Sequence, residues 1–233
     1  MVSIVIIVHN IPKSPILEMT RQCLKTLKET IGTEDYEMIL IDNGSQDNWD
    51  AMRLLGEEAL PNRSIVHRFQ TNEPIAACWN FAFHLSTGDK VLLLNNDLIF
   101  NKTGWLEQIL QPLDRSEVGA VGSTKMSWNN VEFLEGAVLA FNRDIAKSIV
   151  GDAGTIFDDG FEFTCEEMDF CYRLTQAGKE LVSCPVELLG LISHLHHGTI
   201  SYMFLEGVDM LNVMHKSRLY FCRKWGLPDR VND

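Results

Sequence analysis

The sequence predicts an α/β fold, a mostly parallel central sheet with helices on both faces, built as a single domain over residues 1–233. Three observations carry this. Short runs of valine, isoleucine and leucine alternate with longer amphipathic stretches, the βαβα order that makes neighbouring strands parallel. The runs are continuous rather than alternating in polarity, as strands covered on both faces require. No linker, repeat or low-complexity stretch divides the chain.

The elements follow in order. "VSIVIIV" (Val2–Val8) reads as a buried strand, and "SPILEMTRQCLKTLKETIG" as a helix with Leu17, Leu24, Leu27 and Ile31 on one face and Gly32 at its end. "EMILID" is a second strand, "NWDAMRLLGEEAL" a second helix, and "SIVHRF" a third strand. "PIAACWNFAFHLSTG" is a third helix, opened by Pro74 and followed by Gly88. "KVLLLN" is a fourth strand, "TGWLEQILQPL" an amphipathic helix, and "VGAVGS" a short strand. The last third changes character. "EFLEGAVLAFNRDIAKSIVG" reads as a strand and a helix, and "TCEEMDFCYRLTQAG" as a helix opening on acids. "LISHLHHGTIS" is a strand or loop, and "EGVDMLNVMHKSRLYFCRKWG" a long closing helix.

With 45% apolar and 22% charged residues the chain has the composition of a globular protein with a real core. A net charge of −12 argues against nucleic-acid or anionic-membrane partners, which need a basic patch. It leaves a small anionic ligand open, because a metal ion offsets local repulsion. The six cysteines are scattered, without a CxxC pair, and read as reduced, mostly buried thiols of a cytoplasmic protein. The opening "IVIIV" is too short to span a membrane, so no integral membrane segment is expected; a peripheral visit to the inner face of a membrane stays open. The basic, aromatic-flanked "HKSRLYFCRKW" reads as a solvated helix face.

Open sheets of this kind bind ligands beyond the carboxyl ends of their strands. That rule weights His9 and Asn10, Asp42 and Asn43, Thr71 and Asn72, and Asn95 to Asp97. A lone carboxylate such as Asp97 at a strand end suits a hard divalent cation that completes its shell with phosphate and water. The same "NND" also suits a simple turn. Asp42 in "IDNGSQD" can accept from a ribose or base, or shape the Asn43-Gly44 turn. In "CEEMDFCYRL", Glu166, Glu167 and Asp169 fall in the first helical turn, either as acids favoured by the dipole or as a general base. Asp169 and Arg173 are four apart and can pair. In "HLHHG", His194 and His196 share one face if the stretch is a strand, with His197 on the other.

Taken together, these motifs resemble the family 2 glycosyltransferases of the GT-A fold, in particular their rhamnosyltransferase-like branch. "VSIVIIVHN" is similar to the family's opening strand with its P-x-Y-N-like end, through His9 and Asn10. "IDNGSQD" resembles D-N-G-S-x-D, whose first acid binds nucleotide, here Asp42. "NEPIAACWN" is similar to the N-x-G…A…N segment through Asn72, Ala77 and Asn80. "STGDKVLLLNND" resembles the stretch that ends in the metal-binding triplet, here Asn95, Asn96 and Asp97. "EGAVLAFNRD" resembles the acceptor-side glycine segment, through Gly136. "CEEMDFCYRLTQAG" is similar to E-D-x-D-x-x-x-R-x-x-x-x-G, and "HHGTIS" to a late histidine element.

The resemblance implies an inverting enzyme that moves a sugar from a nucleotide-diphosphate sugar to an acceptor hydroxyl, on a glycan or another molecule. Residues 1–100 would form the nucleotide-binding half and residues 101–233 the acceptor-binding and catalytic half. It implies His9, Asn10, Asp42, Asn72, Asn80, Asn95 and Asn96 as donor contacts, and Asp97 with His196 on Mn²⁺ or Mg²⁺, His194 and His197 being the alternatives. Glu167 would be the base, with Glu166 beside it, and Gly136, Asp169 and Arg173 would lie on the acceptor side. Three departures stand out. Pro74 replaces a glycine, Asn95 stands where some members carry an aspartate, and Glu167 is one methylene longer than the usual aspartate base. These leave open a scaffold that has kept the fold without the activity. A nucleotidyltransferase would need a glycine-rich basic loop where "HNIPKSP" stands. Donor sugar, acceptor and homo-oligomer formation are left open.

Overall fold

A computed structural model describes residues 1–32, 35–46, 63–151, 154–195 and 207–229. Its centre is a seven-stranded sheet. In chain order the strands are β1 (Val2–Val8), β2 (Tyr36–Asn43), β3 (Ser64–Phe69), β4 (Lys90–Leu94), β6 (Val118–Gly122), β9 (Val138–Asn142) and β10 (Glu180–Ser183). They lie side by side as β10-β6-β9-β4-β1-β2-β3. All neighbours are parallel except β9, which runs antiparallel between β4 and β6. Two small ribbons complete the strands. β5 (Leu98–Phe100) pairs with β11 (Ile192–His194), and β7 (Lys125–Trp128) with β8 (Val131–Leu134).

The unalternating strands are buried on both faces because successive residues feed different cores. Ile4, Ile6, Leu40, Leu92 and Leu94 pack with helix α1 (Ile16–Thr30) and with Trp105 and Ile109 of α3 (Trp105–Leu110). Val5, Ile39, Ile41, Val91 and Leu93 pack on the other side with α2 (Ile75–Leu85) and with Phe170 and Leu174 of α5 (Glu166–Gln176). The short α4 (Arg143–Ser148) joins that second layer through Ala146. The α1 face is set by Ile16, Thr20, Cys23, Leu24 and Leu27, so Leu17 lies at its margin. The closing helix α6 (Met210–Trp225) is capped by Asp209, which accepts from the Asn212 amide, and ends at left-handed Gly226.

Three differences from the sequence reading have physical causes. The stretch read as one strand before Asn142 is two, β8 and β9, separated by Glu135, Gly136 and Ala137. The exposed β7 lacks an apolar signal; its marker is the pair Asn129 and Asn130, both left-handed, which closes a tight β7–β8 hairpin. The basic end of α6 is solvated only in part: His215, Lys216 and Arg223 are exposed, but its last turn is tied into the protein. Lys224 reaches Asp158 and Asp169 at 2.5 and 2.7 Å, and Trp225 Nε1 donates to Asp169 at 2.9 Å. The expected helix "NWDAMRLLGEEAL" and the stretch holding His196 and His197 lie outside the described residues. All six cysteines are free and buried, and burial pushes the Cys23 thiol up to about 12. Among the described residues no helix is long and apolar enough to cross a membrane.

Candidate active site

The carboxyl ends of β1, β2 and β4 open onto a cavity of about 550 Å³. Its near wall is built by three loops that hold one another. At the end of β1, His9 Nδ1 donates to the Asn43 carbonyl at 2.8 Å, and the Asn10 amide donates to Ser45 Oγ at 2.8 Å. Asn43 in turn grips the loop after β3: its Nδ2 donates to Asn72 Oδ1 and to the Glu73 carbonyl, and its Oδ1 accepts the Glu73 amide, each at 2.9 Å. Gly44 makes this possible. It is left-handed, and a Cβ there would sit 2.3 Å from the Thr71 carbonyl carbon. His9, Asn43 and Asn72 therefore face the cavity together.

Asp97 sits where β4 ends. The Asn95 amide donates to Ala137 of the β8–β9 loop, and Asn96 Nδ2 donates to Thr20 Oγ1 on α1, both at 2.9 Å. The chain then turns into β5, whose antiparallel partner β11 sets His194 across from Leu98. This puts His194 Nε2 3.2 Å from Asp97 Oδ1. Burial alone would lower the proton affinity of His194; the bond and charge of Asp97, with Glu135 and Glu187 beyond, outweigh it and hold the imidazole above its ordinary value. Asn95, Asn96, Asp97 and His194 all line the cavity. A divalent cation fits this donor set. One carboxylate and one imidazole can turn on a common ion, leaving the rest of its shell to phosphate oxygens and water. Among the described residues no three acids, histidines or cysteines are grouped to hold a metal alone.

The far wall comes from the start of α5. Thr164 and Cys165 are both left-handed, at φ 67° and 70°, an unusual pair for residues with a Cβ. Such conformations cost on the order of 1–2 kcal/mol each and concentrate at functional sites. They start the helix abruptly, so that Glu166 and Glu167 both line the cavity. Burial and the neighbouring Glu167 carboxylate raise Glu166 well above the usual carboxylate range. Burial, with Glu135 nearby, raises Glu167 to about 7, against the pull of backbone amides. Gly136 lies between this wall and α2; a Cβ there would stand 3.4 Å from the Trp79 ring and 3.7 Å from Glu167 Cγ.

The other expected site residues stand behind these walls. Asp42 is fully buried, accepts the Ser45 amide at 2.9 Å and lies 3.6 Å from Arg68 Nε. Asn80 clamps Phe157, donating to its carbonyl and accepting its amide. Asp169 and Arg173 form a buried pair at 2.9 Å, and Arg173 also donates to the Ile149 and Ile156 carbonyls. None of Asn10, Asp42, Asn80, Asp169 and Arg173 is among the cavity-lining residues. Glu135 and Trp79, which the sequence reading passed over, are. Glu135 was hidden inside what looked like one strand. Trp79 looked like one more apolar residue of a buried helix.

Three comparisons bear on this arrangement. No curated protein matches the chain. Among solved structures, it is similar to the mannosyltransferase PcManGT from Pyrobaculum calidifontis in complex with GDP-Man and Mn²⁺ (TM-score 0.63, 17% identity, covering 79% of this chain and 54% of that one). It is also similar to GalNAc-T7 with UDP, GalNAc and Mn²⁺ (TM-score 0.62, 14% identity, covering 79% and 42%). A third is S. aureus TarS 1-349 in complex with UDP (TM-score 0.53, 14% identity, covering 73% and 53%). The chain spans about half the length of these structures. At such identity they speak for the fold, and it is the GT-A fold expected from the sequence. The family model described as Glycosyl transferase family 2 matches residues 3–168, from β1 through the two glutamates. The chain belongs to glycosyl transferase family 2.

Proposed function

We propose that the chain is an inverting, metal-assisted glycosyltransferase that passes a sugar from a nucleotide-diphosphate donor to an acceptor hydroxyl. The observation that carries this reading is one cavity with the Asp97–His194 pair on one wall and a carboxyl with a value of about 7, Glu167, on the other. His9, Asn72, Asn95 and Asn96 are the donor contacts, and Asn10 and Asp42 brace the loops that present them. Mn²⁺ or Mg²⁺, held by Asp97 and His194, would offset charge on the diphosphate.

Glu167 accepts the proton of the acceptor hydroxyl as its oxygen attacks the anomeric carbon. The sugar–phosphate bond breaks on the opposite face and the nucleoside diphosphate leaves, inverting the configuration. Glu167 has the proton affinity for this: its carboxylate is available near neutral pH yet basic enough to take a proton. Trp79 and Gly136 border the space in which the acceptor would lie. Asp169 and Arg173 act one layer back: Asp169 ties α5 to α6 through Lys224 and Trp225, while Arg173 holds Asp169 and the Ile149 and Ile156 carbonyls.

The test is binding and slow hydrolysis of a panel of UDP-, GDP- and dTDP-sugars, with Mn²⁺, Mg²⁺ or EDTA, by wild type and Asp97→Ala. One donor should bind or turn over only with metal, and the variant should lose at least about 100-fold. A folded wild type that binds no sugar nucleotide under any metal would sink the enzymatic reading and favour a scaffold.

A further inference from the structure

The cavity wall has an unusual charge balance. Among the described residues six carboxyl residues line it, and no lysine or arginine does. Asp97 faces His194, and Glu162 at the rim lies 3.8 Å from Lys216. Glu135, Glu166 and Glu167 form no ion pair among the described residues. Glu166 is the sharpest case. It is only 3% exposed, and its Oε2 has no hydrogen-bond partner among the described residues. A buried polar atom left unmatched costs on the order of 1–3 kcal/mol. Such an atom in a native fold calls for an explanation, and at a cavity wall a bound group is one that supplies it.

Resting on the transferase reading above, we propose that the acceptor is a cationic molecule, whose protonated amine seats against Glu135 and Glu166 while its hydroxyl meets Glu167. Three features favour an ammonium over other occupants. A second divalent ion needs a compact shell of ligands, and no group of three suited to a metal exists among the described residues. An ammonium has three N–H donors and can span carboxyls that share no common centre. A neutral hydroxyl would supply a hydrogen bond to Glu166 Oε2 but leave the negative wall uncompensated. Burial first, and the repulsion of neighbouring acids after it, raise the affinity of Glu166 and Glu167 for protons; a bound cation relieves the second part.

The experiment is binding near neutral pH, followed by calorimetry. Glucosamine is compared with N-acetylglucosamine, and a primary-amino deoxyglucoside with its hydroxyl parent. UDP and GDP with Mn²⁺ are titrated into the same preparations. The amines should bind about tenfold or more tightly than their neutral counterparts. Glu166→Gln and Glu135→Gln, each checked for folding by its unfolding transition, should bring the ratio close to one. Equal binding of amine and neutral partner by wild type, or a preference that survives both substitutions, would overturn the proposal. Nucleotide binding without amine preference would overturn this inference alone. Amine preference without any nucleotide binding would support the subsite while the transferase reading fails.

Discussion

Two buried carboxyls, one at each end of the same sheet, behave in opposite ways. Glu37 lies near the amino ends of the strands, where its Oε1 accepts from Ser3 Oγ at 2.6 Å and from the amides of Thr87 and Gly88, and its Oε2 from Thr87 Oγ1. Burial would raise it, but these bonds outweigh burial and hold it below the usual carboxylate range. Glu166 faces the cavity that opens at the other end of the strands, has Oε2 unmatched, and is raised. Both are buried acids in one domain. The first has its surroundings completed by the protein and stabilises the fold. The second keeps an oxygen that no group among the described residues matches, which is the pattern expected of a site rather than a brace.

Substitutions at each place should separate the two kinds. The largest effect is on chemistry: Glu167→Gln should lower the rate of nucleoside diphosphate release by about 10³-fold, within the usual range for removing a general base. Because Glu167 is raised as well, the variant's unfolding free energy near neutral pH should be equal to or above that of wild type, read by urea titration, so the loss of rate is not a loss of fold. At the braced end, Glu37→Ala leaves Ser3, Thr87 and Gly88 without their acceptor and should cost about 3 kcal/mol of stability in the same titration. Because Glu37 is lowered, its contribution is present above its unfolded-state value of about 4.3 and fades as pH falls below it. The smallest effect carries the opposite sign. Glu166 is raised, so holding it in the fold becomes more costly as pH climbs from about 4.3 towards its folded value. Glu166→Gln should therefore raise the melting temperature by roughly 2–4 °C at about pH 8 and leave it unchanged at about pH 4. Equal and like-signed effects at Glu37 and Glu166 would erase the distinction.

The same contrast explains what could be read from the sequence. The sheet was legible because β1, β2 and β4 are continuous apolar runs, and β3 is bounded by clear punctuation. Asp97 and Glu167 were legible as acids at the ends of elements, and both line the cavity. What escaped depended on pairing across the chain. His194 could not be told from His196 and His197 by spacing, since its place beside Asp97 comes from β11 pairing with the three-residue β5. Asp169 and Arg173 carry a motif's spacing, yet the further partners of Asp169, Trp225 and Lys224, lie on a helix more than fifty residues away. The Thr164–Cys165 turn left no trace, because neither residue type favours a left-handed backbone.

The most direct test of the central claim is the pH dependence of nucleoside diphosphate release by wild type, with saturating metal and water as acceptor. If Glu167 is the base, the rate should rise as pH passes through about 7, as its carboxylate forms, and then level off. A rate that is flat across that window, or one that rises identically in Glu167→Gln, would contradict it.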